Sequence, residues 1–302
     1  MYISFYYSSY RGDIINISKM IGNTQLVRLK EFEQINDIKA NIYAKIECTN
    51  MFGSIKDRVA LKTIEKAEQN HMLNYNSCII EATSGNMGIA LAGICQIKHY
   101  SCKIIMPDNM SEVRKNLIKQ YGAELILTPA NLGMQGSIKL AKELQLKSTN
   151  IYYVDQFNNL NCVQTHKIYT APEINKQLNG CVDVIISGIG TGATIIGLAK
   201  YFKIINSHIE FIGVLPSSFP HGIQGIGAGF DPPFIKPGTI DRIIYVETHE
   251  ATEEKENIYQ NEGLCVGLSS GAVISGLKKL LKIKQYKNKN IVLIFADGSD
   301  RY

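Results

Sequence analysis

Four short stretches of this sequence combine glycines, hydroxyls and one lysine in ways that suit chemistry at helix starts. In Asn50-Met51-Phe52-Gly53-Ser54-Ile55-Lys56-Asp57-Arg58, Lys56 falls in the first turn of an expected helix. The positive end of a helix dipole favours the neutral amine there. A neutral amine can attack a carbonyl-bearing cofactor; the plainer reading is a solvated surface lysine. In Ile79-Ile80-Glu81-Ala82-Thr83-Ser84-Gly85-Asn86-Met87-Gly88, a strand runs into a hydroxyl-rich turn and a helix. Hydroxyls and free N–H groups at a helix start form an anion site sized for a carboxylate, or simply a well-capped helix. In Val184-Ile185-Ile186-Ser187-Gly188-Ile189-Gly190-Thr191-Gly192-Ala193-Thr194 the pattern recurs as a phosphate cradle. A dinucleotide fingerprint would require an acid at the tip of the next strand, about 20 residues on. That strand ends Gly213-Val214-Leu215-Pro216, without one, so a phosphate lacking a ribose fits better. In Gly267-Leu268-Ser269-Ser270-Gly271-Ala272, Ser269 can be an ordinary helix cap or a neutral hydrogen-bond partner for a ring nitrogen.

Positioning such groups requires strands that deliver loops to one edge. Short apolar runs at 42–47, 78–81, 103–106, 124–127, 182–187, 209–215 and 290–296 predict strands. Helical periodicity predicts helices over 57–69, 88–97, 111–121, 133–144, 194–202 and 271–281. The alternation predicts an α/β fold with mainly parallel sheets. Two glycine-rich strand–loop–helix units, near 85 and near 190, suggest two lobes with a ligand cleft between them. The stretch 216–237, rich in Gly and Pro, reads as a loop.

The 302 residues, 45% hydrophobic, can bury one large core or two moderate ones. No run approaches the ~20 apolar residues of a membrane-spanning helix, and residues 1–10 lack the pattern of a secretory signal. The net charge of +5 comes from basic residues interleaved with acids, which argues against a nucleic-acid role but suits anionic ligands. Seven cysteines, with no C-x-x-C pair and no histidine at zinc spacing, predict a reduced, cytoplasmic protein without a metal site.

Together the four motifs resemble the cysteine synthase / cystathionine β-synthase family of fold-type II pyridoxal-phosphate (PLP) enzymes. The likeness runs from Ile21-Gly22-Asn23-Thr24-Gln25-Leu26 to Asp300-Arg301-Tyr302. It takes in Met106-Pro107-Asp108-Asn109-Met110-Ser111, Tyr121-Gly122-Ala123-Glu124-Leu125, Asp155-Gln156-Phe157-Asn158-Asn159 and Gln224-Gly225-Ile226-Gly227-Ala228-Gly229-Phe230. Most details look like the B-type cysteine synthases, whereas the stretch from Gln224 to Phe230 looks A-type. The resemblance implies two α/β lobes with twisted, mainly parallel sheets and the cofactor between them. The larger, PLP-binding lobe would comprise 1–45 and 157–302, and the smaller, mobile lobe 46–156. It implies Lys56 as the Schiff-base lysine, and Gly190, Thr191, Gly192, Ala193 and Thr194 as the phosphate loop. Asn86 would touch the ring hydroxyl and Ser269 the ring nitrogen. Thr83, Ser84, Asn86, Met87 and Gln156 would bind the substrate carboxylate.

Three departures stand out. Met87 replaces a threonine, Ala193 replaces a glycine, and Asp231 stands where relatives carry an aliphatic residue. The sequence also stops at Tyr302, where relatives continue. The implied reaction is β-replacement on a small amino acid, O-acetylserine and sulfide giving cysteine and acetate, with Lys56 moving the α-proton and Ser84 a further catalytic candidate. An alternative is a lyase turning cysteine and water into serine and hydrogen sulfide, with Asp231 activating water or merely capping a turn before Pro232-Pro233. A weakly active PLP-binding relative is a third reading. A homodimer is the family expectation.

Overall fold

The computed structural model describes residues 17–284 and 286–301. The stretch 1–10 and Tyr302 lie outside the described residues. Strands β1 (Leu26–Arg28), β2 (Asn41–Ile46), β3 (Cys78–Ala82), β4 (Ser101–Pro107) and β5 (Glu124–Thr128) lie in the first half of the chain. They are followed by β6 (Ile151–Tyr153), β7 (Val184–Gly188), β8 (Glu210–Pro216), β9 (Arg242–Val246) and β10 (Asn290–Phe295). The helices are α1 (Lys30–Ile35), α2 (Lys56–Gln69), α3 (Asn86–Lys98), α4 (Glu112–Gln120) and α5 (Gly133–Leu146). After them come α6 (Leu160–Thr165), α7 (Ala171–Gln177), α8 (Ala193–Ile205), α9 (Thr248–Glu262) and α10 (Leu268–Ile283).

Two sheets result, ordered β1-β2-β10-β7-β8-β9 and β5-β4-β3-β6. Every neighbouring pair is parallel except β1–β2. Strands covered by helices on both faces need apolar side chains on both, which is why β7 and β10 are nearly continuous apolar runs. The seven strands expected from apolar runs are all present, and 217–241 carries no helix or strand, as its composition predicts. Strands β1, β6 and β9 and helices α1, α6, α7 and α9 are additional to the elements that the sequence predicts.

Three apolar clusters follow from this layering. One joins the six-stranded sheet to α10 and α9 through Ile186, Val214, Ile258, Val273 and Leu277. A second packs α5 on the four-stranded sheet through Ile80, Ile105, Ile138 and Ala141. The third is shared by the two sheets: Ile79 and Ile104 from one and Ile185 and Val292 from the other meet side chains of α2, α3, α6 and α8. The carboxyl ends of β2, β3, β7 and β10 therefore open toward a common space, where open parallel sheets place their ligands.

Candidate active site

That space is a cavity of about 280 Å³, near the lower end of ligand pockets. Lys56, the first residue of α2, lines it. The loop that delivers Lys56 is closed on its own helix: the Phe52 N–H (2.6 Å) and the Ser54 hydroxyl (3.2 Å) both donate to the Asp57 carboxyl. Burial pushes that carboxyl up to about 7. The loop is also tied to the end of β10, since the Ile55 N–H donates to the Ala296 carbonyl at 2.8 Å. Two residues after Lys56, Arg58 pairs with Glu47 (2.6 Å) and Glu173 (2.7 Å), and Lys45 with Glu173 (2.9 Å). Burial lowers the pKa of Lys56, and the nearby Cys162 and Glu81 offset this only in part. The amine is thus shifted toward the neutral, nucleophilic form that the sequence motif suggests.

At the end of β3, Thr83, Ser84, Asn86 and Met87 line the same cavity. The Gly85 N–H donates to the Thr83 hydroxyl (3.1 Å), and Arg114 donates to the Ser84 carbonyl (3.1 Å). Gly85 needs its missing side chain: its φ is +154°, and a Cβ would lie 2.3 Å from Arg114 Cδ. Gln156 faces this loop, its amide donating to the Ala82 carbonyl (3.0 Å) and its backbone N–H to Glu81 (3.3 Å). Glu81 is fully buried, and burial holds its carboxyl well above the ordinary range. Met87 is buried in the cluster that also holds Ile104 and Ile118, so its thioether fills core space at the foot of the loop.

Opposite, the loop after β7 brings Gly190, Thr191, Gly192 and Thr194 to the cavity. Gly190 lies against the following loop, where a Cβ would sit 2.5 Å from the Gly225 carbonyl, and Gly192 adopts φ +85°. This narrow turn at the N-terminus of a 13-residue helix is a cradle in which backbone N–H groups can meet a phosphate. The residues present therefore fit a PLP phosphate. Ala193 opens α8 but is buried in the shared core rather than lining the cavity, and its N–H donates to Thr191 Oγ1 (3.2 Å). Thr194 Oγ1 is hydrogen-bonded to His166 Nε2 (3.3 Å), and His166 Nδ1 to Thr170 Oγ1 (3.0 Å). Burial, then the charges of Lys56 and Arg58, push the His166 pKa far down, so the ring is neutral beside the cradle. Ser269, second residue of α10, also lines the cavity.

Gln224, Gly225, Ile226, Gly227 and Ala228 form a further wall. Phe230 then packs edge-on against Phe157, with centroids 5.0 Å apart. Asp231 follows it, exposed and outside the residues that line the cavity. Arg114, His166, Asp297 and Arg301 are contacts of the site that none of the four motifs marks. Arg114 sits behind the Ser84 loop, His166 behind Thr194, and Asp297 accepts from the Asn86 amide at 2.6 Å. Arg301 donates to Asn86 Oδ1 at 3.3 Å. Among the described residues no group of three His, Cys, Asp or Glu comes together to hold a metal ion, and no helix is long and apolar enough to cross a membrane.

A family model for pyridoxal-phosphate dependent enzymes matches residues 17–297. The chain is 43% identical over 300 residues to a cysteine synthase of Buchnera aphidicola subsp. Schizaphis graminum, covering 93% of this chain and 92% of that protein. Among solved structures, a hydrogen sulfide-producing enzyme from Fusobacterium nucleatum superposes with a TM-score of 0.90 at 38% identity, covering 95% of this chain and 99% of that one. An O-acetyl serine sulfhydrylase, isoform 3, from Entamoeba histolytica gives a TM-score of 0.90 at 35% identity, covering 99% and 93%.

Proposed function

The chain belongs to the pyridoxal-phosphate dependent enzyme family, and from that premise we propose that it is a cysteine synthase, joining O-acetylserine and sulfide into cysteine with release of acetate. The observation that carries this reading is convergence: a lysine with a lowered pKa, a phosphate cradle and a carboxylate-sized hydroxyl loop line one cavity. The cofactor, when bound, supplies an electron sink for the charge that develops at the substrate α-carbon. Gly190, Thr191, Gly192 and Thr194 would hold its phosphate, Ser269 its ring nitrogen and Asn86 its ring hydroxyl. A serine partner does not protonate the ring, and a milder sink suits loss of a β-substituent.

Lys56 is the group that takes the α-proton and later returns it, since burial shifts it toward the free amine that a general base must be. Thr83, Ser84 and Gln156, with the backbone of Asn86 and Met87, bind the substrate carboxylate. That fixes the α-carbon relative to Lys56 and leaves the β-carbon facing the wall at 224–228. We further propose that residues 46–156 move as a smaller lobe, closing the loop after β3 over substrate and excluding water from the cavity, against a larger lobe of 1–45 and 157–302. A homodimer is supported by the exposed Leu160, Ile168 and Tyr169 along α6 and the π-helical turn that follows it. Seven free cysteines suit a reduced cytoplasm.

The test is direct. Borohydride should fix the cofactor irreversibly to the peptide carrying Lys56, and Lys56→Ala should prevent it. Cysteine should form from O-acetylserine and sulfide in the wild type and not in the variant. Labelling at another lysine would overturn the assignment.

A second reading is that cysteine is consumed to serine and hydrogen sulfide, with Asp231 activating water; the Fusobacterium relative, a hydrogen sulfide-producing enzyme, is consistent with the sulfide release. Asp231 follows a loop that lines the cavity, and it reaches substrate in this reading only if the loop carries it inward. Asp231→Asn keeps shape and removes basicity. If Asp231 activates water, serine formation from cysteine falls about 100-fold while one sulfide per site is still released. Unchanged serine formation would leave Asp231 as a turn residue.

A further inference from the structure

We propose that Asp297 and Arg301 are positioning residues that fix which edge of the Asn86 amide, donor or acceptor, faces the cofactor's ring oxygen. The inference rests on the functional reading above, in which Asn86 meets that oxygen.

The two ends of an asparagine amide are nearly the same size, so packing alone does not choose between them. Here the choice is made by charge. Asn86 Nδ2 donates to Asp297 Oδ2 at 2.6 Å, and Asn86 Oδ1 accepts from Arg301 Nη1 at 3.3 Å. A carboxylate accepts only and a guanidinium donates only. Turning the amide over would set oxygen against carboxylate and NH₂ against guanidinium, forfeiting two charge-assisted hydrogen bonds. In the orientation held, Asn86 has its second N–H left to offer, which suits a ring oxygen carrying negative charge.

The two positioning groups are themselves immobilised. Asp297 is 1% exposed, its carbonyl accepts from the Gly267 N–H at 3.0 Å, and its backbone bridges to Ser54 ahead of Lys56. Arg301 is 3% exposed. Its Nη2 donates to the Phe52 carbonyl, and its own carbonyl accepts from Ser111 Oγ at 3.3 Å. Gly53 leaves room for it: a Cβ there would lie 2.2 Å from Arg301 Nη2, and its φ is +78°. The residues after β10 thus bind the starts of α2, α3 and α4 together, with the Asn86 amide at the centre.

The test reads the absorption spectrum of substrate-free holoenzyme across pH for wild type, Asp297→Asn, Arg301→Met, Asn86→Ala and the Asp297→Asn/Asn86→Ala double variant. Asparagine at 297 can pair with Asn86 in either sense, so only Arg301 is left to hold the preference. The ratio of the yellow band to the near-ultraviolet band should then fall about 10-fold, the weight of one hydrogen bond to a charged group. Arg301→Met should shift it in the same direction. In the Asn86→Ala background Asp297→Asn should add nothing. A cofactor-replete Asp297→Asn protein with the wild-type spectrum at every pH overturns the proposal, as does a shift that persists undiminished without Asn86. Should Asp297→Asn not fold, Arg301→Met with and without Asn86→Ala decides by the same criterion. A wild-type protein that takes up no cofactor would instead sink the functional reading, and this inference with it, before any variant is made.

Discussion

Lys56 takes its reactivity from its surroundings more than from its type, because a solvated lysine would keep its proton. The same dependence on neighbours governs Gly85. Its φ of +154° and the Arg114 side chain, 2.3 Å from where a Cβ would lie, both disfavour a methyl group. The obstructing atom belongs to a flexible side chain, so Gly85→Ala should displace Arg114 and its bond to the Ser84 carbonyl rather than unfold the protein. We expect KM for O-acetylserine to rise about 10-fold or more, with cofactor content unchanged, because the loop that binds the carboxylate is disturbed and the phosphate cradle is not. Steady-state kinetics alongside cofactor absorbance separates the two; an unaltered KM would show that this loop does not bind the carboxylate.

At the scale of elements, the phosphate cradle is a strand end, a glycine turn and a helix start that must stay small and uncharged. Gly192→Asp sets a carboxylate at the mouth of α8, where it repels phosphate, and forces a side chain toward Ile235 Cγ1 at 2.8 Å. Dialysis should strip cofactor from this variant, and more weakly from Thr194→Ala, which deletes the hydroxyl bonded to His166. Full retention after Gly192→Asp would move the phosphate elsewhere. Such local constraints explain what the sequence made legible. Glycine turns between an apolar run and a helical period announce β3–α3 and β7–α8 without any tertiary knowledge. By contrast α9 buries only Ala251, Glu254 and Ile258 among its helical positions, a stripe too narrow and too polar to stand out. The strands β1 and β6, three residues each, are shorter than any alternation can signal. Asp297 and Arg301 were illegible for another reason: they meet Asn86 from 211 and 215 positions away, and no local pattern encodes a contact at that range.

The whole molecule is held at its centre by charges as well as by apolar packing. Arg58, 2% exposed beside the helix start that bears Lys56, binds Glu47 from the end of β2 and Glu173 from α7, while Lys45 from β2 reaches Glu173 as well. Burial works against ionisation of Glu173, but the hydrogen bond and charge of Arg58, then Lys45, outweigh it and draw the carboxyl from 4.5 down to about 2. A carboxyl whose pKa is depressed by folding stabilises the native state above its unfolded value, and this contribution is lost as pH falls through the folded value. The displacement from 4.5 to about 2 sets an upper bound of roughly 3 kcal/mol at neutral pH, reduced by solvent screening because the carboxyl is only partly buried. Glu173→Gln should therefore be less stable than wild type at pH 7 by up to that amount, since Lys45 loses its carboxylate while Arg58 keeps Glu47. As pH falls, Glu173 in the wild type gains a proton and comes to resemble the glutamine. The gap between the two proteins, measured by urea unfolding, should hold at pH 7 and 5.5, begin to shrink near pH 4.5 and close toward pH 2. Other carboxylates titrate in both proteins and cancel in the difference. A gap that stays constant through this window would mean that Glu173 holds α7 and α2 together by shape and hydrogen bonding alone, without its charge.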